Sequence, residues 1–287
     1  MPYHSVFRRD LFAGQTVIVT GGGSGIGRCT AHELVSLGAH VALVGRNVEK
    51  LHAVRDELLA EGGEASAHRC DIRDDSAVES AVESVLTLKG RIDGLVNNAG
   101  GQYYGALKDF STRGFEAVVR TNLTGGFIFM REVYTRWMER HGGVIVNMIA
   151  AVDHGLPGFA HSAAARSAML NLTETAAVEW APSGVRVNAV APGLIASSGF
   201  DNYSADGAAA IRAHIGGIPM QRYGDVAEVS ACIVYLLSPA AAYITGSCLR
   251  VDGGAINAPG GQPLAAHERS TPFCGFHLSS LPAMLKD

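Results

Sequence analysis

Short apolar runs alternate along this chain with longer stretches whose apolar residues recur every three or four positions. "TVIVT" (16–20), "HVALVG" (40–45), "ASAHRCDI" (65–72), "IDGLVNNAG" (92–100), "GVIVNMI" (143–149), "VRVNAVAP" (185–192) and "SCLRVDGG" (247–254) read as seven strands. A helical pattern runs from the glycine-rich turn after the first strand through Leu37. In "NVEKLHAVRDELLAEGG", Val48, Leu51, Val54 and Leu58 share one face, and a third helix covers Ser76 to Leu88. Residues 112–139 and 160–181 form two more helical stretches with an apolar face each. Strands and helices in strict alternation, with β-branched strand residues, predict a parallel sheet covered on both faces. The expected fold is α/β, a Rossmann-type doubly wound sheet of about seven strands.

No linker rich in Pro, Ser or charge interrupts the pattern before residue 255, so residues 1–254 are expected to form one domain. The tail, 255–287, differs: "INAPGGQPLAAHERSTPF" holds turn residues and little periodicity. Yet Phe273, Phe276, Leu278 and Leu281 are too apolar for a purely solvated segment. The expectation is that the tail docks on the body or on a neighbouring subunit.

The turn "TGGGSGIGR" (20–28) follows the first strand and opens the first helix. Gly21 permits a tight turn, Gly25 lets the backbone approach a pyrophosphate, and Gly27 allows close helix–sheet packing. Gly23, Ser24 and Ile26 complete a candidate cofactor loop whose helix amides face the anion. At the end of the second strand an acid would hold a ribose diol and repel a 2′-phosphate. Gly45 stands there instead, followed by Arg46, whose guanidinium can pair with a phosphate. NADP(H) is therefore expected over NAD(H).

Bulk properties exclude several classes. The 287 residues carry a formal net charge of -4 and no basic run, against a nucleic-acid footprint. No apolar run reaches the roughly 18 residues of a membrane span, and "MPYHSVFRRDLFAG" lacks the apolar core of a secretory signal. The five cysteines lack paired spacing and read as thiols of a reduced compartment, and "MLKD" is not a peroxisomal address; a cytoplasmic protein is expected. The eleven histidines show no HxH or HExxH spacing, so no metal site is expected. Glu174 and Glu179 do not make an i, i+4 pair and read as helix surface or subunit interface.

With TGxxxGxG (20–27), "NNAG" (97–100), "TNLTG" (121–125) and "RVNAVAPG" (186–193) in order, the chain resembles the short-chain dehydrogenase/reductase superfamily from Leu11 to Gly254. The resemblance implies that Asp71 and Ile72 flank an adenine, that Asn98, Ala99 and Gly100 back the cofactor, and that Pro192, Gly193 and Ile195 lie near the nicotinamide. Asn97 and Asn98 could equally serve to pin neighbouring strands. It also implies a homotetramer built through the helices of residues 112–139 and 160–181.

The superfamily's usual enzymes use Asn, Ser, Tyr and Lys. Asn122 matches the asparagine, but His161 stands for the tyrosine and Ala165 for the lysine, with Arg166 one place late. The serine position falls on Met148 or Ala150, neither with a hydroxyl. In this, and in "HSAAAR" (161–166), "NNAGGQ" (97–102), "HGGVIVN" (141–147) and "LLSPAAAYITG" (236–246), the chain is similar to one branch, the peroxisomal trans-2-enoyl-CoA reductases. That branch implies reduction of a C=C bond conjugated to a thioester, with an acyl thioester as the small-molecule substrate.

Such a reaction needs donors at the thioester oxygen rather than a base for a hydroxyl. His161 is the candidate donor, with a reference pKa near 6.5. Ser162 is a candidate assistant, and Tyr103 and Tyr104 read as pocket wall. Two alternatives stand beside this reading: a carbonyl reductase or alcohol dehydrogenase with unusual catalytic residues, and a catalytically idle nucleotide-binding protein.

Overall fold

The computed structural model describes residues 3–200, 203–258, 264, 267 and 269–285. The expected seven strands form one all-parallel sheet. They are β1 Thr16–Thr20, β2 His40–Gly45, β3 Glu64–Arg69, β4 Gly94–Asn97, β5 Gly143–Met148, β6 Val185–Pro192 and, after two short strands, β9 Cys248–Val251. The sheet order is β3-β2-β1-β4-β5-β6-β9. The two short strands, β7 Ile195–Ala196 and β8 Gly224–Asp225, pair separately and in parallel. The order in which strands are added reverses between β1 and β4, and this switch point opens a crevice at the carboxyl ends of the strands.

The helices are α1 Gly25–Ser36, α2 Val48–Ala60, α3 Asp75–Lys89, α4 Thr112–Val119, α5 Gly125–Val133, α6 Glu139–His141, α7 Ala160–Glu179, α8 Ala205–Ala213 and α9 Val226–Leu237. Alternation along the strands sends side chains to two separate cores. Val17, Val19, Val41, Leu43 and Val146 pack with α1, α2 and α9. Ile18, Ala42, Val44, Leu95 and Ile145 pack on the other face with α3, α5 and α7. Glu174 and Glu179 are exposed on α7.

The third and seventh strands end at Arg69 and Val251, short of the expected 72 and 254, and two further details depart from the sequence pattern. The fourth strand stops at Asn97 instead of continuing to residue 100, because the next two amides leave the ladder. Asn98 N and Ala99 N both donate to Thr20 Oγ1, each at 3.0 Å. The helical stretch over 112–139 is not one regular helix: π-helical turns at Arg120–Thr124 and Tyr134–Met138 interrupt it. In each turn a threonine bonds back one turn, Thr121 Oγ1 to Ala117 O and Thr135 Oγ1 to Arg131 O, both at 2.9 Å. Such back-bonding competes with the helix's own ladder, and π turns are often found at functional sites. The first one carries Asn122.

The described part of the tail lies on the body. His4 N donates to Gly275 O at 3.0 Å. Phe276 is buried against Tyr3 and His32, with the Arg28 guanidinium 5.4 Å from its ring centre. His277 reaches Glu61, and Ser279 Oγ reaches Asp225. Most of "APGGQPLAAHE" and the end of "MLKD" fall outside the described residues. Among those that are described, no helix is long and apolar enough to cross a membrane.

His40, at the start of β2, is buried, with Nδ1 left without a partner. Burial lowers its pKa from 6.5 to about 4, with Lys89 and His68 adding to the shift and Glu64 opposing it. The unfolded chain therefore binds the proton more readily, and stability falls as pH drops from 6.5 towards 4. His40→Gln is expected to flatten that stretch of a curve of thermal midpoint against pH, relative to the parent.

Candidate active site

The crevice is built from two loops. On one side Gly21 and Gly25 take positive φ, 68° and 53°, a region open to glycine without strain. At Gly27 a Cβ would meet Gly21 O and lie 2.6 Å from Asn98 Nδ2, so only glycine lets α1 approach the second loop. Side chains cap α2, α3 and α9, whereas Ser24 makes no such bond to α1. The leading amides of α1 thus face the crevice, which suits a phosphate.

A cleft of about 550 Å³ follows, lined by Gly21, Gly23, Ser24, Arg46, Asp71, Ile72, Ala99 and Gly100 of the expected cofactor residues. Gly25, Ile26 and Gly27 lie behind this surface in the turn and first helix. Asn98 serves as a strand pin, its Nδ2 donating to Thr20 O at 2.9 Å. Asn97 does the same work one layer deeper, donating to Gly126 O and Asn147 Oδ1. Sequence reasoning missed Asn47, Lys50, Arg73 and Thr121 on the cleft wall. Arg73 bonds the Asp71 carboxylate at 2.6 Å and holds its pKa down to about 2. Arg46 is exposed at the rim. Gly-only turns, open helix amides and a cleft of this size fit a dinucleotide.

A second cavity, about 390 Å³, adjoins the carboxyl ends of β5 and β6. Pro192 and Gly193 line it, together with Phe159, Phe200, Leu156, Ile211 and Ile256. Ile195 does not; it is buried in the β7–β8 ribbon against Gly224. The wall is mostly apolar, and its polar groups include Gln102, His154 and Tyr203.

Behind that wall runs a continuous hydrogen-bond chain. Gln102 Nε2 donates to Tyr203 Oη at 2.7 Å, and Ser162 Oγ donates to Gln102 Oε1 at 2.6 Å. Asn122 Nδ2 donates to Ser162 Oγ at 3.3 Å, while Gly101 N donates to Asn122 Oδ1 at 2.9 Å. Burial raises the Tyr203 pKa, with Gln102 partly opposing, so the phenol is neutral at neutral pH. Asn122 and Ser162, both expected as site residues, are thus in contact, and Gln102 and Tyr203 were missed.

His161 occupies a different place from the one expected of it. It is wholly buried and lines neither cavity. Its ring stacks on Phe110 with centroids 4.4 Å apart and meets Tyr103 edge-on at 4.5 Å. Nδ1 accepts from Ser162 N at 2.7 Å, and Nε2 has no partner. Burial lowers its pKa, keeping the imidazole neutral. The helix turns Ser162 towards Asn122 and, one turn on, Arg166 towards the "NNAG" loop. Arg166 Nη1 donates to Met148 O at 2.5 Å, and its guanidinium fills the space beside Gly100. Desolvation pulls its pKa down to about 10, which still leaves a cation at neutral pH. Ser162 and Arg166, one residue beyond His161 and Ala165, are therefore the pair that touches the cavity walls, Ser162 at Gln102 and Arg166 at Gly100. Tyr103 and Tyr104 are partly exposed; Tyr103 packs on His161 and Tyr104 on Phe159.

A family model described as enoyl-(acyl carrier protein) reductase matches residues 21–255. A solved citronellol catabolism dehydrogenase (AtuB) from Pseudomonas aeruginosa PAO1 is 52% identical, with TM-score 0.80, covering 88% of this chain and 100% of that one. A probable 2,4-dienoyl-CoA reductase of Bacillus subtilis (strain 168) is 36% identical over 243 residues, 84% of this chain and 96% of its own length. A glucose 1-dehydrogenase of Gluconobacter oxydans (strain 621H) is 38% identical over 249 residues, 86% and 93% of the two chains.

An unpartnered buried nitrogen costs about 1–3 kcal/mol. His161→Phe removes it while keeping a ring between Phe110 and Tyr103. The variant also loses the Nδ1 acceptor of Ser162 N, so the expected result is a thermal midpoint close to the parent's; a fall larger than that one bond accounts for would mean that Nε2 is bonded in solution.

Proposed function

On the premise that this chain belongs to the short-chain dehydrogenase/reductase superfamily and is one of its oxidoreductases, we propose that it reduces the C=C bond of a trans-2-enoyl or 2,4-dienoyl thioester. The observation that carries this reading is the chain Asn122–Ser162–Gln102–Tyr203, which ends at a neutral phenol on an apolar cavity wall. The described residues lining that cavity include no acid and no lysine, and its titratable side chains are Tyr203, His154 and His214.

NADP(H) supplies the hydride when bound, and Gly21, Gly23, Ser24, Asp71, Ile72, Ala99 and Gly100 would hold it, with Arg46 on its 2′-phosphate. Hydride addition at the β-carbon of an enoyl thioester, or at the δ-carbon of a dienoyl one, drives negative charge onto the thioester oxygen. Because Tyr203 accepts from Gln102, its own O–H can be offered to that oxygen, as in an oxyanion hole. Asn122 and Ser162 fix Gln102, and Gln102 fixes the phenol. The Arg166 cation adds a positive field from the side of Gly100. The α-carbon then takes a proton of solvent origin. His161 supports the wall on which Tyr103 and Phe110 sit and positions Ser162 through its amide.

A second reading, oxidation of an apolar primary alcohol, is favoured by the 52% identity to a citronellol catabolism dehydrogenase. The apolar cavity would suit a branched hydrocarbon chain in either case. Exposed Phe127 on α5 and Val178 on α7 support a homotetramer assembled through these helices. A cytoplasmic location is part of the same proposal and rests on five free cysteines.

Arg46→Ala is expected to weaken NADPH binding by about 1.5–3 kcal/mol, one charge-assisted phosphate contact, with little effect on NADH. Fluorescence titration of both cofactors checks this, and equal parent affinities for the two would contradict it. The activity itself is tested by following NADPH consumption with an enoyl-CoA and NADP+ reduction with a branched primary alcohol. Turnover of the enoyl-CoA is expected to dominate. Tyr203→Phe should lower that kcat by about 10²–10³, the usual loss for one oxyanion donor, with a smaller change in KM. An unchanged kcat would remove Tyr203 from the chemistry.

A further inference from the structure

We propose a zinc-class metal site, formed by His32, Glu61 and His277, that fastens the C-terminal segment to the body of the protein. These residues come from α1, from the turn after α2 and from the docked tail. One ligand atom of each lies within 4.8 Å of the other two. No spacing in the sequence announces the set, because the fold and the tail's path assemble it.

His32 is the key to the site. It is wholly buried, and a carboxylate faces each of its ring nitrogens. Nε2 is 3.1 Å from Glu57 Oε2, and Nδ1 is 3.4 Å from Glu61 Oε2. A neutral imidazole has a single N–H. The shorter contact assigns that proton to Nε2, where Glu57 accepts it. With that proton on Nε2, Nδ1 offers its lone pair on the side of the Glu61 carboxylate, where a divalent cation can be shared by the two in place of a second ring proton. A divalent metal with bonds of about 2.0–2.1 Å in tetrahedral geometry holds neighbouring ligand atoms about 3.3–3.4 Å apart. The separation between Nδ1 and Oε2 matches that span.

The surroundings agree with a metal. A carboxylate accepting from the far nitrogen of a ligating histidine is the usual outer partner of such sites. Glu57 is in that position and is itself fixed by Arg28, which donates to it through Nε and Nη2, both at 2.8 Å. Arg28 offsets the Glu57 charge, so the Glu61 carboxylate is left as the net negative ligand. His277 Nε2 lies 2.8 Å from Glu61 Oε1, a hydrogen bond that would open as the nitrogen turned to the metal. Two imidazoles and one carboxylate suit zinc or cobalt over magnesium or calcium. The fourth position is left to water.

The full-length chain, stripped with a chelator and dialysed, is titrated with Zn²⁺ by calorimetry and with Co²⁺ by visible absorption. One ion per chain, tetrahedral cobalt bands and a raised thermal midpoint with zinc are expected. His277→Ala and Glu61→Gln should each weaken binding by at least about 100-fold, more than the loss of an outer partner costs. Both positions are near the surface, so the variants are expected to fold and still bind cofactor. Failure of the parent to bind either metal would overturn the proposal. So would binding of unchanged affinity in His277→Ala, because the ion would then sit elsewhere.

Discussion

One buried threonine holds the functional end of this molecule together. Thr20, at the end of β1, accepts the amides of Asn98 and Ala99 through Oγ1 and donates from the same oxygen to Val96 O at 3.3 Å. Its carbonyl takes the Asn98 side chain. These bonds clamp the ends of β1 and β4 where the strand order reverses. The glycine turn and the "NNAG" loop then lie side by side, and Gly27 lets α1 close against them. Gly101, the next residue but one, carries the clamp on to Asn122. From there the hydrogen bonds run through Ser162 and Gln102 to Tyr203. The cofactor cleft and the apolar cavity are thus two sides of one fixed backbone junction.

Much of this was legible in the sequence because it depends on local or periodic features. Period-two and period-three-to-four patterns placed seven strands and the helices between them, since each strand must feed two cores. The glycine turn announced itself because it demands positive φ at Gly21 and no Cβ at Gly27. The early end of β4 was not legible: nothing in "NNAG" says that its amides turn to a hydroxyl almost eighty residues earlier. The π turns around Asn122 and Trp137 also escaped notice, because a widened turn leaves the apolar spacing nearly intact.

The face of α7 that carries Ser162 and Arg166 illustrates a deeper limit. His161 and Ala165 are four residues apart, and so are Ser162 and Arg166; spacing alone cannot choose between two pairs offset by one residue. The choice is made by rotation of the helix, which the cores below it fix. Placing His161 between Phe110 and Tyr103 buries it, and the same rotation delivers Ser162 to Asn122 and the Arg166 cation to Gly100. Gln102 and Tyr203 are about a hundred residues apart and share no motif. They meet because the loop after β4 and the segment before α8 close over the same strand ends. The outcome is a run of neutral hydrogen-bonding groups that ends at Tyr203, with one buried cation, Arg166, beside Gly100.

That distinction can be read directly in the product. A single turnover of an enoyl-CoA by the parent enzyme with NADPH in D₂O, analysed by mass spectrometry and NMR, reports where solvent hydrogen enters. The account predicts a saturated thioester with one deuterium at the α-carbon and none at the β-carbon. An unreduced thioester, in an enzyme that does oxidise an alcohol under matched conditions, would contradict it.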